Sequence, residues 1–417
     1  MKKSNILWTM ALAAALSAGM ALTAFAGWSQ QDGKWYYYKD TNNEMVRDDW
    51  VKTGDAYYYL NKDGVMLTDS FVDETYYVDG NGVMVVNDWR MITGDRSCSY
   101  ESGWRYFGSN GRVFDSGLKQ IGDTWYHFTD TVMDTGWIGE DDKIYYFNES
   151  GAMATGWKKL HRDEDDWGEY WFYFGSTSGK LIAGCEKKID NITYAFDDEG
   201  RMLTGWVNLS DFTSSELDNL SSRDVSSLKY FKKDGSAVNG WQYLPAPDDT
   251  EENWYFCKDG KAYSSDYKTT EVGQYGMARI ENEIYCFDDE GRMVTGLVEL
   301  NDERRFYFDE NTGRLRTGRV MVTDDNYENQ EFCFATSGSV GRKGEGVTGV
   351  KDERLYDNGI LVTAEEGMKY AKVEVDGNDY VVNEQGRVKT SGTVTDGDGV
   401  RYHIEKKDGK YIITVKS

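Results

Sequence analysis

The sequence is poor in proline, histidine and aliphatic side chains. Its 417 residues include only 2 Pro and 3 His, and hydrophobic residues make up 39% of the chain although aromatic residues alone reach 15%. A large aliphatic core is therefore not expected. Disorder is not expected either, because disordered chains are poor in aromatic residues. Glycine and aromatic rings are abundant instead, with 45 Gly, 30 Tyr, 17 Phe and 14 Trp.

Positive charge is also scarce. The chain has 47 basic and 72 acidic residues, which gives a formal charge of −25 at pH 7. A protein that follows the phosphates of a nucleic acid needs a basic face, so this composition excludes nucleic acid as a partner. The net charge bears on solubility and association and does not indicate a fold.

The scarcity of histidine limits the chemistry that the chain can perform. His127, His161 and His403 are too few and too scattered for a metal cluster or a catalytic triad. Acid pairs such as Asp197-Asp198 and Asp288-Asp289 fall at the same place in a repeated pattern, which favours solvated turns over a glycosidase or a calcium site. We therefore expect no catalytic residues, no metal and no cofactor.

A long apolar run is found only near the N-terminus. Lys2 and Lys3 precede the uncharged stretch 6–22, and the small residues of an Ala-Phe-Ala sequence end at Ala26. This pattern predicts a signal peptide over residues 1–26, with cleavage between Ala26 and Gly27. A retained membrane anchor is the alternative, and the short apolar run disfavours it. We expect export without a transmembrane anchor.

The remaining chain repeats one short unit many times. A typical unit reads Thr-Gly-Trp, an aromatic triplet, a polar turn with Gly, and a closing small residue with Met; the stretch 145–153 repeats the frame of 58–66. The simplest steps are about 20 residues long, as from Met45 to Met66. Self-similarity at such a fixed period is typical of solenoid proteins.

Each unit predicts a β-hairpin. The aromatic triplet alternates faces of a strand, and Lys62-Asp63-Gly64 is expected to supply the turn. A lone hairpin is marginal in water, whereas a stack buries one aromatic face against the next. Frequent Gly excludes long helices. The prediction is an all-β solenoid, a superhelical stack of β-hairpin repeats over 27–364.

Departures from the repeat predict loops and an atypical end. The polar insertions at 161–168, 211–227 and 246–253 are expected to form surface loops. Residues 365–417 lack Trp and are expected to form divergent β repeats that cap the stack, with a small separate β module as the alternative.

Five cysteines leave at least one thiol unpaired. Cys286 and Cys333 take equivalent places inside aromatic runs, and Cys257 lies in a similar run, which favours packing roles over a disulfide framework. A disulfide between adjacent hairpins stays open for these residues and for Cys98 and Cys185.

The repeats resemble the choline-binding, or cell-wall-binding, repeats of secreted Gram-positive proteins. Thr-Gly-Trp at 135–137, 155–157 and 204–206 carries the resemblance, together with Gly27-Trp28 and Trp35-Tyr36-Tyr37. It covers residues 27–360 and implies a superhelical stack of hairpins on the cell surface. The implied ligand is the choline of teichoic acids, caged by two Trp of one repeat and a Tyr of the next. Related repeats in glucan-binding proteins and clostridial toxins imply a carbohydrate ligand instead.

Aligning the units on the aromatic triplet predicts which cages are complete. The two strongest candidates each combine two rings of one unit with a Tyr of the next. They are Trp28 and Trp35 with Tyr59, and Trp50 and Tyr57 with Tyr77.

Later units are predicted to form weaker cages because the third ring is replaced. The replaced sets are Trp89 and Trp104 with His127, Trp157 and Trp171 with Ala195, and Trp241 and Trp254 with Cys286. Trp137 is paired with Ile144, and Trp206 with Leu228. Ligand binding is therefore predicted to concentrate near the start of the exported chain. In a hairpin stack most rings also serve as core, which is the alternative role for each of these residues.

The sequence thus supports one main hypothesis and two alternatives. The main hypothesis is an exported, non-catalytic protein that binds choline-bearing teichoic acid of a Gram-positive cell wall. The first alternative is a cell-wall polysaccharide or glucan binder that stacks sugars on the same rings. The second is a surface adhesin or structural protein that binds a protein partner.

Overall fold

A computed structural model describes residues 27–40, 43–94, 101–140, 143–162, 168–210, 212–214, 227–247, 250–264, 276–300, 304–338 and 342–416. The predicted signal peptide, Cys98 and most of the insertion 211–227 lie outside these residues. The described part contains strands and turns and no α-helix, which confirms the all-β prediction. It accordingly holds no helix long and apolar enough to cross a bilayer.

Most sheets of the described residues are two-stranded antiparallel hairpins of strands that are neighbours in sequence. These hairpins are β1 (Gly27–Gln31) with β2 (Lys34–Tyr38), β3 (Asp49–Thr53) with β4 (Ala56–Leu60), β5 (Ser70–Val72) with β6 (Tyr76–Val78), β7 (Asp88–Ile92) with β8 (Gly103–Phe107), β12 (Gly136–Glu140) with β13 (Lys143–Phe147), β14 (Gly156–Leu160) with β15 (Tyr170–Phe174), β16 (Cys185–Ile189) with β17 (Ile192–Phe196), β27 (Gly296–Glu299) with β28 (Arg305–Phe308), and β34 (Tyr370–Val375) with β35 (Asn378–Asn383).

Other hairpins gain short additional strands and form larger sheets. These sheets are β9 (Gly117–Ile121), β10 (Thr124–Thr129) and β11 (Val132–Met133); β18 (Gly205–Asn208), β19 (Thr213–Ser214) and β20 (Leu228–Phe231); β21 (Gly240–Pro245), β22 (Glu252–Lys258) and β23 (Lys261–Ala262); β24 (Met277–Ile280), β25 (Glu283–Phe287) and β26 (Met293–Val294); β29 (Gly318–Val322), β30 (Gln330–Phe334), β31 (Gly349–Lys351), β32 (Arg354–Asp357) and β33 (Ile360–Leu361); and β36 (Gly392–Thr395), β37 (Arg401–Lys407) and β38 (Lys410–Lys416).

Short turns with positive φ join the two strands of a hairpin. Asp32 and Gly33 join β1 to β2, with φ of 47° and 76°. Two successive positive φ angles are typical of the type I′ turn, whose twist matches that of the strands. Lys62-Asp63-Gly64, which the sequence analysis assigned to the hairpin turn, instead follows β4. It forms a second turn that returns the chain, so that Met66 bridges to Leu60.

The acidic residues that recur after each hairpin stabilise this second turn. The Oδ1 atom of Asp197 accepts hydrogen bonds from the backbone N–H groups of Glu199 and Arg201, at 3.0 and 2.7 Å. Asp288 accepts equivalent bonds from the backbone N–H groups of Glu290 and Arg292. These carboxylates satisfy backbone donors that a tight turn leaves unpaired, which confirms their interpretation as turn residues.

Backbone hydrogen bonds connect each hairpin to the preceding one. The closing residue Met66 donates its N–H to the carbonyl of Trp35 at 2.8 Å, although Trp35 belongs to the preceding hairpin. Met84 bonds to Tyr57 in the same way, and Met202 to Trp171, each at 2.8 Å. The recurring bond fixes the position of one hairpin on the next, so it also fixes which side chains meet between them.

The second turn needs glycine for two separate reasons. Gly151 has φ of 76°, a conformation that residues with a Cβ rarely adopt. A Cβ at this position would also lie 2.1 Å from the sulfur of Met133, the closing residue of the preceding unit. The closing Met residues therefore cover the turn of the following unit, and their flexible thioethers fill that space.

The core lies along the ends of the second strands, where the last residue of the aromatic triplet points inward. Aliphatic side chains do this in the first hairpins and phenylalanines in later ones. These residues have 0% exposure, and they are Leu60, Val78, Phe107, Phe147, Phe174, Phe196, Phe231 and Phe308. The core of these hairpins is thus built mainly from phenylalanine rings, as the aromatic composition predicted.

The chain divides into two compact units. The first unit comprises the chain up to Gly156 and the separate segment Phe174–Lys180. The second unit comprises Trp157–Tyr173 and the chain from Leu181 onward. Each unit is a stack of hairpins. In the C-terminal stretch, Tyr380 packs against Tyr411 at 5.6 Å, which joins the β34–β35 hairpin to the β36–β38 sheet. The capping role of residues 365–417 stays a prediction.

The cysteines of the described part pack as side chains of the strands. Cys185, Cys257 and Cys333 are free thiols, and Cys286 is buried in the sheet of β24–β26. Burial raises the pKa of the Cys257 thiol and of the Cys286 thiol to about 12. These two thiols therefore stay protonated and unreactive at neutral pH.

Candidate ligand site between neighbouring hairpins

The first hairpin presents a row of rings to the hairpin that follows it. Trp28 lies directly opposite Tyr37, and Gln30 lies opposite Trp35. Side chains that oppose each other share a face, and residues two apart along a strand share it too. Trp28, Trp35 and Tyr37 therefore lie on one face of the β1–β2 hairpin. We call the space between this face and the next hairpin the Trp28 junction, and we name later junctions by the equivalent residue.

The next hairpin contributes one tyrosine to the Trp28 junction. Tyr58 approaches Trp28 with ring centroids 4.9 Å apart, and the two planes are tilted by 70°. Trp28 also meets Tyr37 edge to face at 5.1 Å and donates its indole N–H to Thr53 at 3.1 Å. The first tryptophan is thus held rigidly on three sides.

The same three-ring arrangement recurs at four further junctions in the described residues. In each, a first ring contacts a tyrosine of the next hairpin, and a second ring lies beside the first on the same face. The sets of first ring, second ring and facing tyrosine are Trp50, Tyr57 and Tyr76 (Trp50 to Tyr76 5.4 Å); Trp89, Trp104 and Tyr126 (4.9 Å); Trp157, Trp171 and Tyr194 (4.8 Å); and Trp241, Trp254 and Tyr285 (4.6 Å).

The facing tyrosine is one residue earlier than the sequence alignment placed it. Tyr59 lies opposite Trp50 on its own hairpin, so its ring points away from Trp28. Tyr77 likewise pairs with Phe71 on its own hairpin, at 5.3 Å. A shift of one residue in a strand moves the side chain to the opposite face. The structure therefore does not bring Tyr59 or Tyr77 to the rings with which they were grouped.

The same shift restores three junctions that the sequence analysis graded as weak. His127 lies opposite Leu118 on its own hairpin, is buried, and bonds to Asp134 at 2.6 Å. Ala195 and Cys286 also point away from the preceding hairpin, opposite Glu186 and Met277. The residues that face Trp89, Trp157 and Trp241 are tyrosines.

Two other tryptophans lack a second ring beside them. Trp137 contacts Tyr146 at 5.2 Å and Phe174 at 5.7 Å, while Ile144 takes the second position on its face. Trp206 is only 3% exposed and donates its N–H to the carbonyl of Pro245 at 2.8 Å. It belongs to a core cluster together with Leu228. Core packing is therefore the role of Trp206.

In four of the five sets the second ring is exposed to solvent. Tyr57, Trp104, Trp171 and Trp254 are 38%, 46%, 44% and 47% exposed, whereas Trp35 and the first rings are half-buried. Large exposed rings are costly to hydrate, so their recurrence is typical of a binding surface. Each of these four junctions thus has a largely buried pair of rings and an exposed outer ring.

Two carboxylates, Asp48 and Asp73, lie beside the Trp50 junction together with the cation Lys62. The phenol of Tyr59 donates to Asp48 at 2.8 Å, and burial together with this carboxylate raises the pKa of Tyr59 to about 12. The two residues line a cleft of about 320 Å³ together with Phe71 and Asp73. A negative potential beside aromatic faces favours a cationic group over an anionic one.

The described residues provide little for metal chemistry. They contain no group of three or more His, Cys, Asp or Glu side chains that could hold an ion. The ring sets offer apolar faces and quadrupoles and no nucleophile. What this arrangement can do is bind a ligand that carries positive charge on an apolar surface, or a flat apolar face of a sugar.

Two family models match parts of the chain. One, described as a choline-binding repeat, matches residues 44–84. The other, described as a putative cell wall binding repeat, matches residues 116–131 and 135–153. The matched stretches contain rings of the Trp50 junction and border the Trp89 junction.

Whole-chain comparisons find similar sequences inside larger proteins. Glucosyltransferase-S of Streptococcus mutans is 31% identical in an alignment of 322 positions that covers 71% of this chain and 20% of that protein. Glucosyltransferase-I of Streptococcus downei is 24% identical in an alignment of 463 positions, gaps included, that covers 91% of this chain and 27% of that protein. The chain therefore spans between a fifth and about a quarter of the length of these relatives.

A solved structure with a similar repeat is the choline-binding domain of CbpL from Streptococcus pneumoniae. It is 23% identical and superposes with a TM-score of 0.36, covering 52% of this chain and 98% of that domain. The superposition is partial, and the assignment of the repeats rests on the sequence matches.

Proposed function

This chain belongs to the choline-binding, cell-wall-binding repeat family, and from that premise we propose that it is exported and attaches to a bacterial cell wall by binding choline groups at its three-ring junctions. The chain is a cell-wall- or carbohydrate-binding repeat protein. The observation that supports choline as the ligand is the recurrence of two neighbouring rings and a facing tyrosine at five junctions of the described residues.

The chemistry of choline suits these junctions. A quaternary ammonium group cannot donate a hydrogen bond, so a carboxylate alone recognises it poorly. Aromatic faces attract the charge and also cover the methyl groups, at about 0.5–2 kcal/mol for each ring. Three rings then give one site an affinity on the order of millimolar. Several such sites on one polymer that carries many cholines give tight attachment through avidity.

The charge of the chain supports recognition through the cation. At −25, the protein repels a polyanionic wall polymer at long range. Attachment to such a polymer therefore depends on its cationic substituents, which the aromatic rings of the junctions attract. Binding should accordingly weaken only modestly with salt, because desolvated ring contacts carry most of the affinity.

Choline titration of the purified full-length chain tests the proposal. We expect the chain to bind a choline matrix, to elute with free choline, and to bind ethanolamine much more weakly, because ethanolamine lacks the methyl groups. The matched variant replaces the exposed second rings Trp104, Trp171 and Trp254 by alanine and should elute earlier. Equal retention of both proteins, or equal binding of choline and ethanolamine, would contradict the proposal.

Carbohydrate is the second candidate, and one observation favours it. Tyr243 and Trp254 form an exposed pair of rings 5.3 Å apart beside the Trp241 junction, a platform on which a sugar ring can stack. The names of the two glucosyltransferase relatives indicate that those proteins act on sugars. Retention on immobilised glucan that free choline does not release, and that Tyr243→Ala abolishes, would favour this candidate.

Export and the absence of catalysis are further parts of the proposal. Sequencing the N-terminus of protein recovered from the medium or the cell surface should give Gly27 as its first residue. In this proposal the described residues bind the wall polymer and catalyse no reaction, because the repeats supply aromatic rings and turns. Hydrolysis of wall polymer or transfer of glucose by the purified chain would refute that part.

A further inference from the structure

The position of the facing tyrosine is occupied by a cation at three junctions of the described residues. The register of each hairpin defines this position. In every hairpin, one residue of the second strand lies opposite the first ring, or opposite the residue that replaces the first ring. The facing position is the residue immediately before that partner. Arg105 precedes Tyr106, the partner of Trp89. Lys229 and Arg354 hold the same position in their own hairpins, before the partners of Trp206 and Val350. These three side chains reach back toward the preceding hairpin, as Tyr58 does.

Arg105 lies at the junction of Phe71, which takes the first-ring position there. Its side chain is only 2% exposed, which makes it one of the most buried large residues of the described chain. The guanidinium lies over the Phe71 ring, 5.8 Å from its centroid. It also donates hydrogen bonds to the hydroxyl of Thr131 at 3.0 Å and to the backbone carbonyls of Glu101 and Gly103 at 2.8 and 3.4 Å, all of which are neutral oxygens.

The other two cations meet carboxylates that replace rings. Glu186 holds the first-ring position of its hairpin, and Lys229 binds it at 2.7 Å. Glu331 holds the second-ring position opposite Met321, and Arg354 and Tyr356 both bind it. At these junctions an internal ion pair stands where the complete junctions have aromatic walls.

We propose that Arg105 is a built-in ligand, whose guanidinium occupies at the Phe71 junction the place that an external cation takes at the three-ring junctions. Lys229 and Arg354 close their junctions in the same manner. The inference rests on the proposed function for the identity of the external cation. It adds which junctions accept that cation: the complete three-ring junctions accept it, and those with a lysine or arginine at the facing position exclude it.

The physical reason is that the internal cation is already matched. Burying a charge is unfavourable unless rings, dipoles or opposite charges compensate it, and each of these three side chains has such compensation. A second cation brought to the same place would be repelled and would have to displace those contacts. The chain thus stabilises these junctions without any ligand, while the three-ring junctions gain stability only when a ligand enters.

Chemical rescue of Arg105→Ala tests the inference. Deleting the side chain should leave an apolar and oxygen-lined cavity that fits a guanidinium ion. We expect the Tm to fall by at least about 4 °C. Millimolar N-methylguanidinium should then restore at least about half of the loss by binding the folded state. Sodium chloride at equal ionic strength serves as the blank and should restore nothing.

Arg112→Ala is the matched control, because Arg112 also lies 5.8 Å from a ring, that of Tyr76, but is exposed. This variant should show no rescue. If Arg105→Ala does not fold, Arg105→Lys should be more stable than Arg105→Met, which keeps the apolar length without charge. A destabilised Arg105→Ala that N-methylguanidinium does not rescue overturns the inference, as does Arg105→Met equal in Tm to Arg105→Lys. Choline plays no part in this readout, so failure of choline to bind the wild type would refute only the proposed function.

Discussion

At the scale of single residues, the face of a strand decides whether a ring can serve the site. Tyr58 and Tyr59 are adjacent, yet Tyr58 approaches Trp28 and Tyr59 packs on Trp50. The composition of the aromatic triplet does not tell whether Tyr58 or Tyr59 faces the preceding hairpin. Only the register of the hairpin, set by its short turn, tells which ring faces the preceding hairpin.

Removing one facing tyrosine should weaken one site. We expect Tyr194→Ala to reduce choline affinity at the Trp157 junction about 2- to 30-fold, because one of three rings is lost. Isothermal titration should then show weaker choline binding at one site and unchanged binding at the others. Thr193→Ala changes the neighbouring residue on the opposite face and should leave binding at every site unchanged. Weaker binding in Thr193→Ala and unchanged binding in Tyr194→Ala would show that the face carrying Thr193, and not the face carrying Tyr194, contacts the ligand.

Tyr59 should titrate unusually late. Its phenol is the protonated donor to Asp48, and its pKa is raised from 10.0 to about 12. A pKa raised in the folded state stabilises the fold fully below the unfolded value of 10, and the stabilisation is lost as the pH rises through about 12. Other tyrosines, including Tyr77 and Tyr356, also have raised pKa values, so Tyr59→Phe should reduce the late component of the tyrosinate absorbance by one residue. Asp48→Asn should move the titration of Tyr59 toward 10, and an unchanged titration in both variants would contradict the assignment.

At the scale of the hairpin, the turn after the second strand couples neighbours. Gly151 meets Met133 of the preceding unit, and Met153 bonds to the backbone of Trp125. These contacts place two successive hairpins at one fixed offset. The ring sets depend on that offset, because each combines residues of two hairpins. Turn residues far from any ring are therefore needed for binding.

Gly151→Ala should be strongly destabilising. A Cβ there combines strain at φ of 76° with a 2.1 Å clash against the Met133 sulfur, so we expect a loss of about 2–4 kcal/mol in the free energy of unfolding. Gly122→Ala is the control: φ is 62° and nothing lies within 4 Å of the new atom. It should cost only about 1 kcal/mol. Equal losses in urea denaturation would show that the contact with Met133 contributes nothing.

At the scale of the whole molecule, complete ring sets extend further along the chain than the sequence predicted. The first unit holds three complete ring sets and the second holds two, the last of them at Trp241. Beyond Trp241 the first-ring position is held by Met277, Leu297 and Arg319, so the predicted decline begins later.

Full-length variants should reveal this distribution. Replacing the second rings Trp35, Tyr57 and Trp104 by alanine should lower the choline concentration that elutes the protein from a choline matrix without abolishing retention. Replacing Trp171 and Trp254 should produce a smaller decrease, because two sites are lost and not three. Complete loss of retention in the first variant would support the original prediction that binding is concentrated at the start of the chain.

The sequence by itself determined the architecture. Period-two aromatics, turn glycines and closing methionines recur at a fixed interval, and a chain with so few aliphatic residues can bury apolar surface only by stacking hairpins. The first and second rings of every complete set could also be read from it, since Trp28 and Trp35, or Trp157 and Trp171, belong to one hairpin whose strands are adjacent in sequence.

Only the tertiary structure decided what faces those rings. The third member comes from a different hairpin, and its identity depends on register and on the backbone bonds between units, which no local pattern specifies. Hence His127, Ala195 and Cys286 turned away while their preceding tyrosines faced the site. For the same reason Arg105, an ordinary charged residue in the sequence, is buried over Phe71, because burial is fixed by the neighbouring hairpin.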